Sequence, residues 1–220
     1  MTAAAKGYKG IGMEGFIARW YAKSTGNAMK DYTAEARRVA ALLAPGAQVL
    51  EVAPGPGYFS IELAKLGDYR ITGLDISKSM VEIAQRNAAS AGVAVEFRLG
   101  NASQMPFESN RFDFLFCRAA FKNFSQPVRA LDEMHRVLKP GGCGLIGDLR
   151  RDAPPDGIHK AVSDLGMTGF DAWFTRMAFR FMLTKRAYLK PEFERMLAQT
   201  QFRSTRIEQN GIGMEIWMEK

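Results

Sequence analysis

The run Val49-Leu50-Glu51-Val52-Ala53-Pro54-Gly55-Pro56-Gly57 sets a carboxylate inside an apolar stretch, with glycines just beyond it. A second acid, Asp75, ends the next apolar stretch, Ile71-Thr72-Gly73-Leu74. A buried strand, a glycine turn, a helix start and then a second strand tipped by an acid can hold a nucleoside-containing ligand on an open parallel sheet. The glycines let the backbone approach the ligand closely, and the acid accepts hydrogen bonds from ribose hydroxyls. A charge inside Val-Leu-Glu-Val is costly unless it is partnered, which favours a working role for Glu51 over that of a surface carboxylate.

Two cofactor classes use this device. The nicotinamide loop is G-x-G-x-x-G, and Ser60 stands where its third glycine would pack helix against strand. The other loop is an acid, any residue, then G-x-G-x-G. Glu51 supplies the acid, Gly55 and Gly57 the later glycines, and Ala53 replaces the first. On these residues the segment resembles the class I S-adenosylmethionine (SAM)-dependent methyltransferases, in particular the small single-domain ubiquinone/menaquinone-biosynthesis and "type 11" groups. SAM as cofactor and S-adenosylhomocysteine (SAH) as product are what that resemblance implies.

The resemblance also implies roles. Glu51 orders the loop and the methionine amino end of SAM, and Asp75 takes both ribose hydroxyls. Ile76 and Met80 cover the adenine ring, although Met80 equally suits plain core. Asn101-Ala102 stands where the family has an acid-alanine pair, so the Asn101 amide oxygen becomes a neutral acceptor for the adenine amino group. Ala102 offers its backbone N–H to a ring nitrogen, and the Arg118 carbonyl meets the methionine ammonium. Ala53, bearing a methyl in place of glycine, is expected to keep an ordinary backbone conformation. Leu138-Lys139-Pro140-Gly141-Gly142 is a family marker with a structural job, a tight turn.

Methyl transfer from a sulfonium is a displacement with an activated donor, so the protein mainly aligns the reactants and excludes water. A base is needed only if the acceptor must lose a proton. Many relatives carry histidines where Lys122 and Asn123 stand, so a histidine base has no support here. His135 reads as a packing or surface residue, and the role of His159 is open. Tyr21, Lys122, Asp148 and Arg150 are candidates for acceptor contact by position alone. Cys117 and Cys143 form no metal-spaced pair, and no metal site is expected.

These residues need a scaffold. Residues 10–44 read as a helical cap, with Met13, Phe16, Ile17, Trp20 and Tyr21 as one apolar stripe and a break at Ser24 to Asn27 before a helix from Thr33 to Leu43. Strands are expected at 48–53, 70–75, 95–99, 112–117 and 143–148. Helices are expected between them at 58–65, at 78–89 with Ser77 as N-cap, and at 127–138. After a helix opened by Pro191, two extended runs flank Asn210-Gly211, a strong hairpin signal. The expected fold is α/β: a doubly wound, mostly parallel seven-stranded sheet with an antiparallel C-terminal hairpin strand, the Rossmann-like methyltransferase fold. A single domain over 1–220 is expected, with the cap at 10–44 and a helical lid insertion at 150–190. The insertion carries Phe170, Trp173, Phe174, Met177, Phe181 and Met182 at helical spacing; packing on the sheet edge fits it as well as a lid does.

The partner is expected to be a small organic acceptor. Nucleic acid is disfavoured, because the fourth strand is followed by Arg118-Ala119-Ala120-Phe121 and not by an Asn/Asp-Pro-Pro-aromatic motif; Pro154-Pro155 comes too late. A basic strip at Arg176, Arg180, Lys185 and Arg186 keeps an RNA methyltransferase as the weakest reading. Peripheral membrane contact through the insertion is a minority reading, and the oligomeric state is left open. The formal charge of +7 is scattered along the chain, and no apolar run reaches transmembrane length. A cytoplasmic location with reduced thiols is the expectation. The reading from a different class is a non-catalytic SAM- or SAH-binding module that supports a partner.

Overall fold

Val49, Leu50 and Val52 are at most 1% exposed, and they build the central strand β1 (Gln48–Val52) of a computed structural model that describes residues 7–9, 12–26, 29–164 and 184–220. β2 (Arg70–Asp75), β3 (Glu96–Leu99), β4 (Phe112–Arg118) and β5 (Leu138–Leu149) pair in parallel around it. β6 (Ser204–Asn210) and β7 (Gly213–Glu219) close the sheet as an antiparallel hairpin, with β7 lying against β5. The order of the seven strands is β3-β2-β1-β4-β5-β7-β6, as expected for a doubly wound sheet closed by a hairpin. Strand order reverses between β1 and β4. In such sheets the ligand crevice lies outside the carboxyl ends of the strands at that reversal.

Alternation along the strands divides the core into two layers. Leu50, Val52, Leu115 and Ile146 face α5 (Pro127–Val137) and a helix at Lys190–Leu197, where Leu131, Met134 and Phe193 are fully buried. Val49, Phe114, Phe116 and Leu145 face α2 (Met29–Ala40) and α3 (Tyr58–Ala64), with Val39, Phe59 and Leu63 filling that side. α4 (Lys78–Ala91) starts at the expected Ser77 cap, whose hydroxyl accepts from the Met80 N–H, and ends at Gly92 with φ 67°. No helix among the described residues is long and apolar enough to cross a membrane.

Several expectations shift. The helix α1 (Gly15–Thr25) buries only part of the predicted stripe: Met13 and Tyr21 pack with Ala18, Ala22, Met80 and Ile83, while Phe16 is 74% and Trp20 62% exposed. Small residues on that face let α1 approach α4 closely, and Phe16, Ile17 and Trp20 turn outward. α2 begins at Met29, earlier than Thr33, and stops at Ala40. The Leu138-to-Gly142 marker is a bulge inside β5, because Phe112 pairs with Leu138 and Phe114 already with Cys143; Gly141 takes φ 76° there. The hairpin turn is centred on Gly211-Ile212, since Asn210 and Gly213 still pair. In the expected insertion, α6 (Pro155–Asp164) is described, and the aromatic positions 170–182 lie outside the described residues.

Candidate functional site

The glycine segment leaves β1 through three left-handed residues: Ala53 at φ 57°, Gly55 at 55° and Gly57 at 80°. Ala53 thus departs from the ordinary conformation expected of it. A Cβ in this region costs about 1–2 kcal/mol, and the position keeps the geometry of the glycine it replaces. Its N–H is fixed to the Leu74 carbonyl at 2.8 Å. Gly57 opens α3, and a Cβ on it would lie 2.7 Å from Phe97 Cζ. At the neighbouring strand end, Ala119 repeats the strain at φ 56°. Such strain persists where the surrounding fold over-determines it and gathers at functional sites.

Both acids are buried. Glu51 is 4% exposed, and its Oε2 accepts from the backbone N–H of Ser60 at 3.2 Å and from the Ser60 hydroxyl. Burial pushes its carboxyl up to about 7, against the pull of Ser60 and of the Arg118 charge. Asp75, 7% exposed, bridges the two walls of the crevice: Oδ2 accepts from Gly55 N–H at 3.0 Å and Oδ1 from Ser77 N–H at 2.9 Å. Burial raises it to about 6, although those backbone donors favour the charged form. With about four lone-pair sites and these few backbone donors, the Asp75 carboxylate retains capacity for a further donor. Asn101 forms a local turn, its Oδ1 accepting from Ser103 N–H at 2.9 Å.

These groups line one cavity of about 460 Å³ at the carboxyl ends of β1, β2 and β4. Glu51, Ala53, Gly55, Asp75, Ile76, Met80, Asn101, Ala102 and Arg118 all face it; Gly57 does not, and acts as the turn that aims α3. Met80 serves both readings, since it also packs on Ala18 and Ala22. The remaining wall is aromatic and polar: Tyr8, Tyr21, Tyr32, Thr25, Asn123 and Phe124. Burial raises the Tyr21 phenol and pushes Tyr32 up to about 12, so both are neutral hydrogen-bonding groups near neutrality. Residues 7–9 cross the cavity as a strap, with Lys9 N–H on the Asn123 carbonyl at 2.8 Å and a Tyr8–Phe124 bridge. Gly7 sits against the cavity wall so closely that a Cβ would meet Ile76 Cδ1 at 2.5 Å and Asn101 Nδ2 at 2.6 Å.

Of the four acceptor-side candidates, only Tyr21 reaches the cavity. Lys122 and Asp148 pair with each other beneath it, and Arg150 pairs with Asp152. Tyr8, Tyr32 and Asn123 went unrecognised as wall residues. Tyr32 lies on a helix of mostly polar sequence, where a single aromatic carries no periodic signal. Glu14 was also missed: it reaches across to cap α4, accepting from Lys78 N–H at 3.1 Å and Ser79 N–H at 3.0 Å. His135 packs edge-on against Phe202, away from the cavity. No cluster of three or more metal-ligating side chains occurs among the described residues.

Comparison with known proteins follows the same lines. A family profile described as a methyltransferase domain matches residues 50–146. Demethylmenaquinone methyltransferase of Lactiplantibacillus plantarum is 33% identical over 173 residues, which cover 77% of this chain and 71% of that protein. Demethylmenaquinone methyltransferase of Chlorobaculum tepidum is 35% identical over 99 residues, 45% of this chain. There the matched part spans only 39% of the relative's own length. Among solved structures, a candidate S-adenosyl-L-methionine-dependent methyltransferase of Methanococcus maripaludis superposes with a TM-score of 0.75 at 22% identity, covering 96% of this chain and 97% of its own. At that identity the likeness concerns the fold.

Proposed function

The chain belongs to the methyltransferase family that includes demethylmenaquinone methyltransferase, and from that premise we propose that it transfers a methyl group from SAM to a small organic acceptor. One observation carries the reading: a single cavity joins two buried acids at adjacent strand tips to a wall of tyrosines and Phe124. The acids and the left-handed loop suit a ribose and an amino-acid tail. The aromatic wall suits a planar, largely apolar acceptor, held by stacking and by neutral phenol hydrogen bonds. Bound SAM supplies an activated methyl on a sulfonium. Asp75 would hold the ribose, Glu51 would meet the ammonium, Asn101 and Ala102 would read the adenine edge, and the strap at residues 7–9 would keep water out.

The tyrosines differ from a histidine base in what they can do. With burial raising them, Tyr21 and Tyr32 orient an acceptor oxygen and do not remove its proton at neutral pH. That favours acceptors acidic enough to ionise near neutrality without a protein base, such as thiols and electron-poor phenols or quinols. We propose no nucleic-acid partner and a cytoplasmic site of action.

The test is release of SAH from SAM over pooled phenol, quinol, thiol and amine acceptors. Turnover with a phenol or quinol is expected. Silence with every acceptor, alongside tight SAM binding, would sink the catalytic reading in favour of a SAM-binding module. Calorimetry on Asp75→Ala addresses the donor separately: loss of SAH binding is expected, and unchanged affinity would remove Asp75 from the site.

A further inference from the structure

Arg118 ends β4 and faces the cavity. Its guanidinium lies over the Tyr32 ring, 5.2 Å from the centroid, and its Nη1 is buried without a hydrogen-bond partner. A guanidinium stays charged inside a protein, so a buried N–H that meets no acceptor carries its full desolvation cost. Buried polar groups are almost always satisfied, and an exception at a cavity wall points to a ligand atom.

The position of the charge says which atom. Register along the sheet sets Glu51 beside Phe116. Arg118 is one pleat further along β4, so both charges emerge on the α2–α3 side of the sheet. They are near enough for the Arg118 charge to hold the Glu51 carboxyl down against burial. They nevertheless do not close on each other: the Glu51 Oε2 is turned to Ser60, and Arg118 Nη1 has no partner. Two opposite charges held apart on one wall are the complement of a zwitterion, whose ammonium and carboxylate are fixed a short distance apart.

We propose that Arg118 is the carboxylate receptor of this cavity, binding the α-carboxylate of the donor's amino-acid tail while Glu51 takes the neighbouring ammonium. The inference rests on the SAM reading given above and adds to it a residue that positions the donor. The planar fork of arginine matches a carboxylate, and stacking on Tyr32 fixes the plane of that fork in advance. A donor held at both ends of its tail has its sulfonium fixed relative to the acceptor wall. A carboxylate on the acceptor is the rival occupant, but an acceptor approaching from Tyr8 and Asn123 would have no use for the Glu51 charge beside Arg118.

The experiment compares SAH with its decarboxylated analogue, which keeps adenosine, sulfur and ammonium and lacks only the carboxylate. Calorimetry on the full chain should show SAH binding tighter by about 10- to 100-fold, the range of a hydrogen bond to a charged group. In Arg118→Met the preference should vanish through weaker SAH binding, with the analogue unchanged. In Arg118→Lys it should return in part. The comparison is made within one protein, so a partly unfolded variant alters stoichiometry and not the ratio of affinities. A preference that survives in Arg118→Met overturns the assignment and leaves the guanidinium to the acceptor. Equal weakening of both ligands overturns it too, in favour of a purely structural role. Wild-type protein that binds neither ligand would remove the SAM reading itself, and this inference with it.

Discussion

Lys122 Nζ lies 2.8 Å from Asp148 Oδ1, with both side chains at most 5% exposed. The other carboxylate oxygen accepts from the backbone N–H of Lys122 at 2.8 Å, and Nζ also donates to the Ala119 carbonyl at 2.5 Å. The pair therefore ties the end of β5 to the turn leaving β4, and it holds Ala119 in its left-handed conformation beside the cavity. Removing one partner leaves a buried charge uncompensated, which costs about 3–5 kcal/mol. Lys122→Met should lower the unfolding free energy, read from urea melts, by that much. The double variant Lys122→Met/Asp148→Leu should recover most of it. A single-variant loss under about 1 kcal/mol would mean that the pair is hydrated and structurally idle.

Ala53 offers a prediction of opposite sign. Its methyl is carried at φ 57°, where glycine is at ease. Relief of that strain outweighs the extra backbone entropy of glycine, so Ala53→Gly should stabilise the chain by up to about 1 kcal/mol. Ala53→Val should destabilise it, since a branched side chain tolerates the left-handed region least. Thermal melts of the two variants read both signs. A destabilised glycine variant would show that the methyl contributes packing that matters more than the strain.

How much of this was legible differs from residue to residue. The strands, their order of appearance, the Ser77 cap and the C-terminal hairpin follow from periodicity and turn chemistry, which are local properties of the sequence. The cavity-lining positions beside the tips of β1 and β2, such as Glu51 and Asp75, were legible because the local pattern fixes where those strands end. Ser60 is instructive: it reads only as a missing third glycine, and in the structure both its N–H and its hydroxyl serve Glu51. The acceptor side was not legible in the same way. Lys122 and Asp148 are close to the strand ends yet point into each other, a choice made by tertiary packing. The exposed Phe16 and Trp20 likewise show helical spacing without saying which face is covered.

The two buried acids give a pH dependence. Glu51 is raised from 4.5 to about 7 and Asp75 from 3.8 to about 6 in the folded chain. Between the lower and upper values the folded state holds protons that the unfolded state has lost, so these groups stabilise the fold at low pH and lose that contribution as pH rises through 6 to 7. Urea midpoints of Glu51→Gln, compared with wild type from pH 4.5 to 8, should show a flatter decline in the variant. A cationic ligand tail that favours the ionised acids should release protons on binding below about pH 7, read as a buffer-dependent enthalpy. Equal slopes in variant and wild type would remove Glu51 as the titrating group.

Asn101→Asp tests where the adenine lies. In the wild type the amide oxygen accepts from Ser103 N–H at 2.9 Å, an interaction a carboxylate keeps. The amide nitrogen, close to Gly7 in the strap, is exchanged for a second acceptor. A charge-assisted bond to an exocyclic amino group is roughly twice as strong as a neutral one, and the variant bears the cost of burying a charge against that gain. SAH affinity should therefore hold or tighten, by up to about 10-fold. The inosine analogue of SAH, which presents a carbonyl in place of the amino group, should bind the variant more weakly than it binds wild type. The opposed response of the two ligands is the signature of a direct contact, because a strap displaced by the new charge would weaken both. A large loss of SAH affinity would place the adenine ring away from Asn101.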